Sequence, residues 1–136
     1  MPIEDDNVIK EILTKSKTIA VVGASEKPWR DSNRIFLFLK KKGYNVIPVN
    51  PAYREIEGVT CYPTVQSIGE GIDIVDVFRN SDAIGEVAND AIAAHAQVLW
   101  LQLGVVNTGA VQQAEAAGMQ VVMDHCIAVD YSRLIK

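Results

Sequence analysis

Five short apolar runs, separated by amphipathic stretches, constrain what this chain can fold into more than any other feature. They are Thr18 to Val22, Tyr44 to Val49, Ile72 to Phe78, Gln97 to Leu101 and Gln120 to Met123. A continuous apolar run of strand length, bounded by turn residues, reads as a strand covered on both faces, as parallel strands are. Pro48 removes one ladder donor and predicts an edge or strand-end position for the second run. The turn-rich stretch NPAYREIEGVTCYPTVQSIGEG is expected to hold one further short strand near Val59 to Tyr62.

The intervening stretches carry helical spacing. Ile3, Val8, Ile9, Ile12 and Leu13 share one face of a helix expected from Ile3 to Ser16. Asp31 or Ser32 can cap a helix through IFLFLKKK, which has Gly43 just past its end. Lys40, Lys41 and Lys42 sit where a helix C-terminus favours positive charge. Ser81 is the expected cap of a helix whose apolar face is Ile84, Val87, Ala88, Ala91 and Ile92. Thr108 to Ala117 forms another, closed by Gly118, and Ile127 to Leu134 a last short one. Strands alternate with helices and no internal repeat or linker interrupts them. The expectation is a single α/β domain over residues 1–136, a doubly wound, mostly parallel sheet with helices on both faces.

With 136 residues, 49% of them hydrophobic, the chain can bury a real core. A net charge of −4 argues against a large nucleic-acid-binding face but is compatible with a small cationic pocket. No apolar run approaches the ~18 residues that span a bilayer. The opening MPIEDDNVIK is acidic and has no apolar signal region, and Cys61 and Cys126 lack CxxC spacing. A cytoplasmic protein with reduced thiols, bound to neither membrane nor nucleic acid, is expected.

Ligands of such sheets bind beyond the carboxyl ends of the strands. After the first run comes Gly23-Ala24-Ser25, a turn whose backbone N–H groups can face a phosphate. The dinucleotide fingerprint would continue with glycines where Ser25 and Pro28 stand, and the loop instead offers Lys27, Arg30 and Arg34. After the second run, Asn50-Pro51 replaces the carboxylate that a nicotinamide-binding domain uses for its ribose hydroxyls. After Phe78, Arg79-Asn80 precedes a helix start, where an anion is favoured or where Arg79 can pair with Asp82 or Glu86. After Leu101, Gln102 offers an amide and Gly104 permits close approach of a ligand.

VVGAS, VIPVNP, VDVFRNS and LWLQLGV together resemble the small stand-alone CoA-binding proteins, a Rossmann-like family. The closing VVMDHCIAVDY is similar to that family's C-terminal motif, so the resemblance runs from about Ile12 to Tyr131. The fold also resembles the CoA-binding domain of succinyl-CoA ligase alpha subunits and of NDP-forming acyl-CoA synthetases. The resemblance implies coenzyme A or an acyl-CoA as the ligand. Gly23, Ala24 and Ser25 would meet its phosphates, and Lys27 and Arg30 would neutralise the pyrophosphate or 3′-phosphate. Ser32 and Asn33 belong to the same binding set, and Asn50 and Pro51 would border the adenosine. Phe78, Arg79 and Asn80 would line the middle of the ligand, with Gln102 and Gly104 closing the opposite side.

The related ligases need a domain bearing a phosphorylated histidine and a nucleotide-binding module, which this sequence does not show, so a binding module without its own catalytic residues is expected. Two alternatives are an NAD(P)-binding redox or regulatory domain and a CoA-binding subunit that acts with a partner ligase chain. A homo-oligomer is also compatible with the sequence. His95, among alanines, reads as a packing or surface residue; Asp124-His125-Cys126 is too compact for one metal ion, so no metal is expected. Imidazolium at His125 can stabilise a thiolate at Cys126, yet neighbours in sequence point different ways and no third partner is evident. Cys126 reads as a buried small apolar residue, with mixed-disulfide exchange with CoA at Cys126 or Cys61 as the sharper option. Asp73 and Asp76 are expected at strand ends or on a less buried side. Trp29 and Trp100 are packing candidates, and Trp29 can also cover an adenine.

Overall fold

The computed structural model describes residues 1–136. Its parallel strands are β1 (Thr18–Val22), β2 (Asn45–Val49), β5 (Ile74–Val77), β6 (Val98–Leu101) and β7 (Gln120–Met123), with a small hairpin of β3 (Glu55–Ile56) and β4 (Val59–Thr60) after β2. The helices are α1 (Asp6–Lys15), α2 (Asp31–Lys41), α3 (Ile84–Ala93), α4 (Thr108–Ala116) and α5 (Ile127–Leu134). The sheet order is β2-β1-β5-β6-β7 with every pair parallel. The α/β, Rossmann-like architecture expected from the alternation of elements is therefore the one observed.

Residues one apart along each strand enter opposite layers. Ala20, Val22, Val75, Val77, Leu99 and Leu101 pack under α3 and α4. Ile19, Val21, Ile74, Val98, Trp100 and Val122 pack against α1, α2 and α5. Both faces of the sheet are thus dry, which is why the strands read as unbroken apolar runs.

Pro48 lies in β2 at the sheet edge, as expected. Its carbonyl accepts from Tyr62 N at 3.0 Å on the outer side, and its missing N–H faces that same side, so the β1 ladder loses nothing. Tyr62 returns a carbonyl to Asn50 N at 2.9 Å and forms an isolated bridge to Val49, covering the edge. The strand expected near Val59 to Tyr62 is β4; its partner β3 is joined to it through Glu57 and Gly58, both left-handed, the geometry of a two-residue hairpin loop.

Three local expectations need correction. Neither Asp31 nor Ser32 caps α2: Arg30 occupies the cap position and no side chain bonds the first turn. Ser81 opens a 3-10 turn (Ser81–Ala83) ahead of α3, and its hydroxyl accepts from Val106 N at 3.1 Å. Asp76 is wholly buried in mid-strand with both carboxylate oxygens unpartnered, between Val21 of β1 and Trp100 of β6. Asp73 does lie at a strand start, where it accepts from Lys17 N and Thr18 N at 2.8 and 3.0 Å.

Candidate functional site

The chain runs outward from β1 to β2 and then returns to the other side of β1 to form β5, so the order of strands reverses between β1 and β5. A crevice opens at such a reversal, above the carboxyl ends of the strands. Gly23 forms its floor. Its φ of +85° suits glycine, and a Cβ there would lie 2.4 Å from the carbonyl oxygen of Phe78. The β1 and β5 loops approach this closely because Phe78 N donates to Val22 O at 2.8 Å.

Two grooves meet on that floor. The first, about 540 Å³, is lined by the 23–32 loop, Asn50, Tyr53, Phe78 and Arg79. Ser25 is buried; its Oγ accepts from Lys27 N at 3.1 Å, which leaves the hydroxyl hydrogen as a donor. Asn33 is also buried and donates its amide to Ser25 O at 2.9 Å, holding the loop against α2 instead of lining the groove. Asp31 and Ser32 do line it, and the uncapped first turn of α2 presents free N–H groups and the positive end of its dipole there. Lys27, Arg30 and Arg79 form no ion pair, whereas Arg34 is committed to Asp31 and Trp29 O. Trp29, 69% exposed, stands on this wall with Lys27 Nζ 6.0 Å from its ring centroid, so it is not a core residue.

The second groove, about 650 Å³, shares Gly23, Asn50 and Arg79 with the first. Pro51, Pro63 and Val87 are its apolar walls, and Thr64, Gln66, Glu86, Asn89 and Asp90 supply polar groups. Asp90 already accepts from Val65 N and Gln66 N at 2.8 and 3.4 Å. Asn50 donates its amide to Ala24 O at 2.8 Å and accepts from Ala52 N at 2.9 Å, so it braces the β1 and β2 loops. Neither Asp82 nor Glu86 pairs with Arg79.

Asn80, Gln102 and Gly104 line neither groove. Gln102 is buried, and its Oε1 accepts from Ile127 N at 3.1 Å at the head of α5. Gly104 N donates to the carboxylate of Asp124, whose left-handed backbone turns the β7 loop toward it, at 2.7 Å. The residues that sequence reasoning missed are Asp31 and Tyr53 in the first groove and, in the second, residues from the segment after β4 and from mid-α3. One apolar-periodicity signal existed for Val87, but only the tertiary fold brings Gln66 and Asn89 to β2.

The cysteines and His125 take roles apart from these grooves. Cys61 is buried and contacts Asn50 O at 3.5 Å; burial pushes its thiol up from the ordinary value, partly offset by that contact. Cys126 is half-buried at the head of α5, not fully buried as expected. His125 does have partners: Nδ1 meets Asp130 Oδ2 at 2.7 Å and Nε2 meets Glu4 Oε2 at 3.1 Å. Burial pulls its pKa down, but the bonds to Asp130 and Glu4 outweigh that and hold it above the ordinary value. No three His, Cys, Asp or Glu side chains gather closely enough to hold a metal, and no helix is long and apolar enough to cross a membrane.

A doubly wound parallel sheet with helices on both faces and a crevice at its strand reversal defines a Rossmann-like α/β domain. The chain belongs to the CoA binding domain family, whose model matches residues 17–132. It is 43% identical over 124 residues to the uncharacterized protein YneT of Bacillus subtilis (strain 168), covering 91% of this chain and 92% of that one. It superposes on a hypothetical protein from Pyrococcus horikoshii OT3 with a TM-score of 0.96 and 40% identity, covering 100% and 97% of the two chains. It is also 27% identical to the ADP-forming acetate–CoA ligase I of Archaeoglobus fulgidus, a match that spans 88% of this chain and 19% of that enzyme.

Proposed function

We propose that this protein binds coenzyme A or an acyl-CoA across the crevice between β1 and β5, as a binding module. The observation that carries the reading is the gathering of three unpaired cations, Lys27, Arg30 and Arg79, with the uncapped start of α2 around one groove. CoA is long and strongly anionic, and these cations and the helix start favour phosphate. Membership of the CoA binding domain family supports the same ligand. NAD is disfavoured because Asn50, committed to Ala24 and Ala52, stands where a ribose-binding carboxylate would be needed.

Isothermal titration with CoA, acetyl-CoA, NAD and NADP tests the reading. CoA or its ester should bind far more tightly than NAD; tighter NAD binding would overturn the assignment. Arg30→Ala and Lys27→Ala should each weaken CoA binding by about 1.5–3 kcal/mol, with unchanged melting temperatures, because both side chains are exposed and unpaired. The similarity to an acetate–CoA ligase favours a second reading, in which the bound thioester is passed to a ligase-like partner chain. Turnover that appears only on mixing the two chains would support it.

A further inference from the structure

We propose that Arg79 is the specificity residue that reads the 3′-phosphate of the ligand's ribose, and so separates CoA from dephospho-CoA. This rests on the proposed function and adds to it an assignment of the two grooves to two parts of the ligand. The first groove holds Lys27, Arg30 and the head of α2, the groups that suit a pyrophosphate, and its one carboxylate, Asp31, is already paired with Arg34. The second has no cation apart from the shared Arg79, and it carries the carboxylates Glu86 and Asp90, so a phosphate is repelled from its interior. Its apolar walls at Pro63 and Val87 and its amides at Gln66 and Asn89 suit a flat, neutral base with polar edges.

A nucleotide with its base in the second groove and its pyrophosphate in the first must lay its ribose across their shared wall. That wall is Gly23, Asn50 and Arg79. Gly23 has no side chain, and the Asn50 amide is bonded on both sides to backbone. The Arg79 guanidinium alone remains charged, exposed and unpaired there, and a planar fork of donors matches a phosphate monoester.

The test is titration of CoA and dephospho-CoA against wild type, Arg79→Ala, Arg79→Lys and Lys27→Ala, with a thermal melt of each. Wild type should prefer CoA by about tenfold or more, the size of one charge-assisted contact. Arg79→Ala should collapse that ratio to about twofold or less, Arg79→Lys should keep part of it, and Lys27→Ala should weaken both ligands while preserving it. Equal affinity of wild type for the two ligands, or an Arg79→Ala variant that weakens both by the same factor, would overturn the assignment of Arg79 while leaving CoA binding in place. Failure of wild type to bind either ligand would remove the proposed function itself and this inference with it.

Discussion

Asp76 faces the α2 and α5 side of the central strand with no hydrogen-bond partner, and burial holds its carboxyl well above the usual carboxylate range. Burial disfavours its ionised form in the folded protein, whereas the unfolded chain ionises at its ordinary value of about 3.9. Because the folded pKa is the higher one, stability falls as pH rises from about 4 toward that folded value. Asp76→Val, which suits a buried strand, should raise stability at pH 7 by about 1–3 kcal/mol, and the gain should shrink toward pH 4. Urea unfolding at several pH values measures this; a variant less stable than wild type at pH 7 would show that the carboxyl has a stabilising role. At the same scale Lys27, Arg30 and Arg79 were legible in the sequence, because a charged side chain on a strand-end loop stays charged and exposed wherever the loop settles. Gln102 and Asn33 were legible as polar residues only; whether an amide faces a ligand or a backbone group depends on neighbours supplied by other elements, here Ile127 and Ser25.

Among the elements, α5 is docked by charge as well as by packing. Asp130 links His125 to Arg133, Arg133 pairs with Asp6 at the start of α1, and Glu4 completes the chain through His125. His125 has a raised pKa in the folded state, so its contribution to stability is fully present below the unfolded value of about 6.5 and is lost as pH rises through the folded value. His125→Gln should flatten the pH dependence of the melting temperature above about pH 6.5. CoA affinity should not follow, since His125 lines neither groove. The network was invisible in sequence because Glu4 and His125 lie 121 positions apart. The helix α5 itself was legible, since its apolar spacing is local. The cap of α2 was misread for a related reason: Asp31 and Ser32 are good capping residues, but the loop from Gly23 delivers them one and two positions into the helix.

For the whole molecule, the net charge of −4 opposes an anionic ligand, while the cations of the crevice attract it. The exposed cations act at contact distance, and salt screens their attraction over a Debye length of about 10 Å at 0.1 M. Binding should therefore weaken severalfold between about 0.05 and 0.5 M sodium chloride, as titration across that range would show. A salt-independent affinity would mean that apolar contacts, not charge, carry recognition.

The chain's local chemistry determined by itself that there would be five buried strands, amphipathic helices between them and a phosphate-suited turn after the first, because hydrophobic period, turn residues and charge are properties of neighbours in sequence. Only the tertiary structure decided that β1 lies between β2 and β5, and so that Gly23, Asn50 and Arg79 share one wall between two grooves. Strand order is set by how whole layers bury their faces against each other, and that free energy is absent from any short stretch of chain.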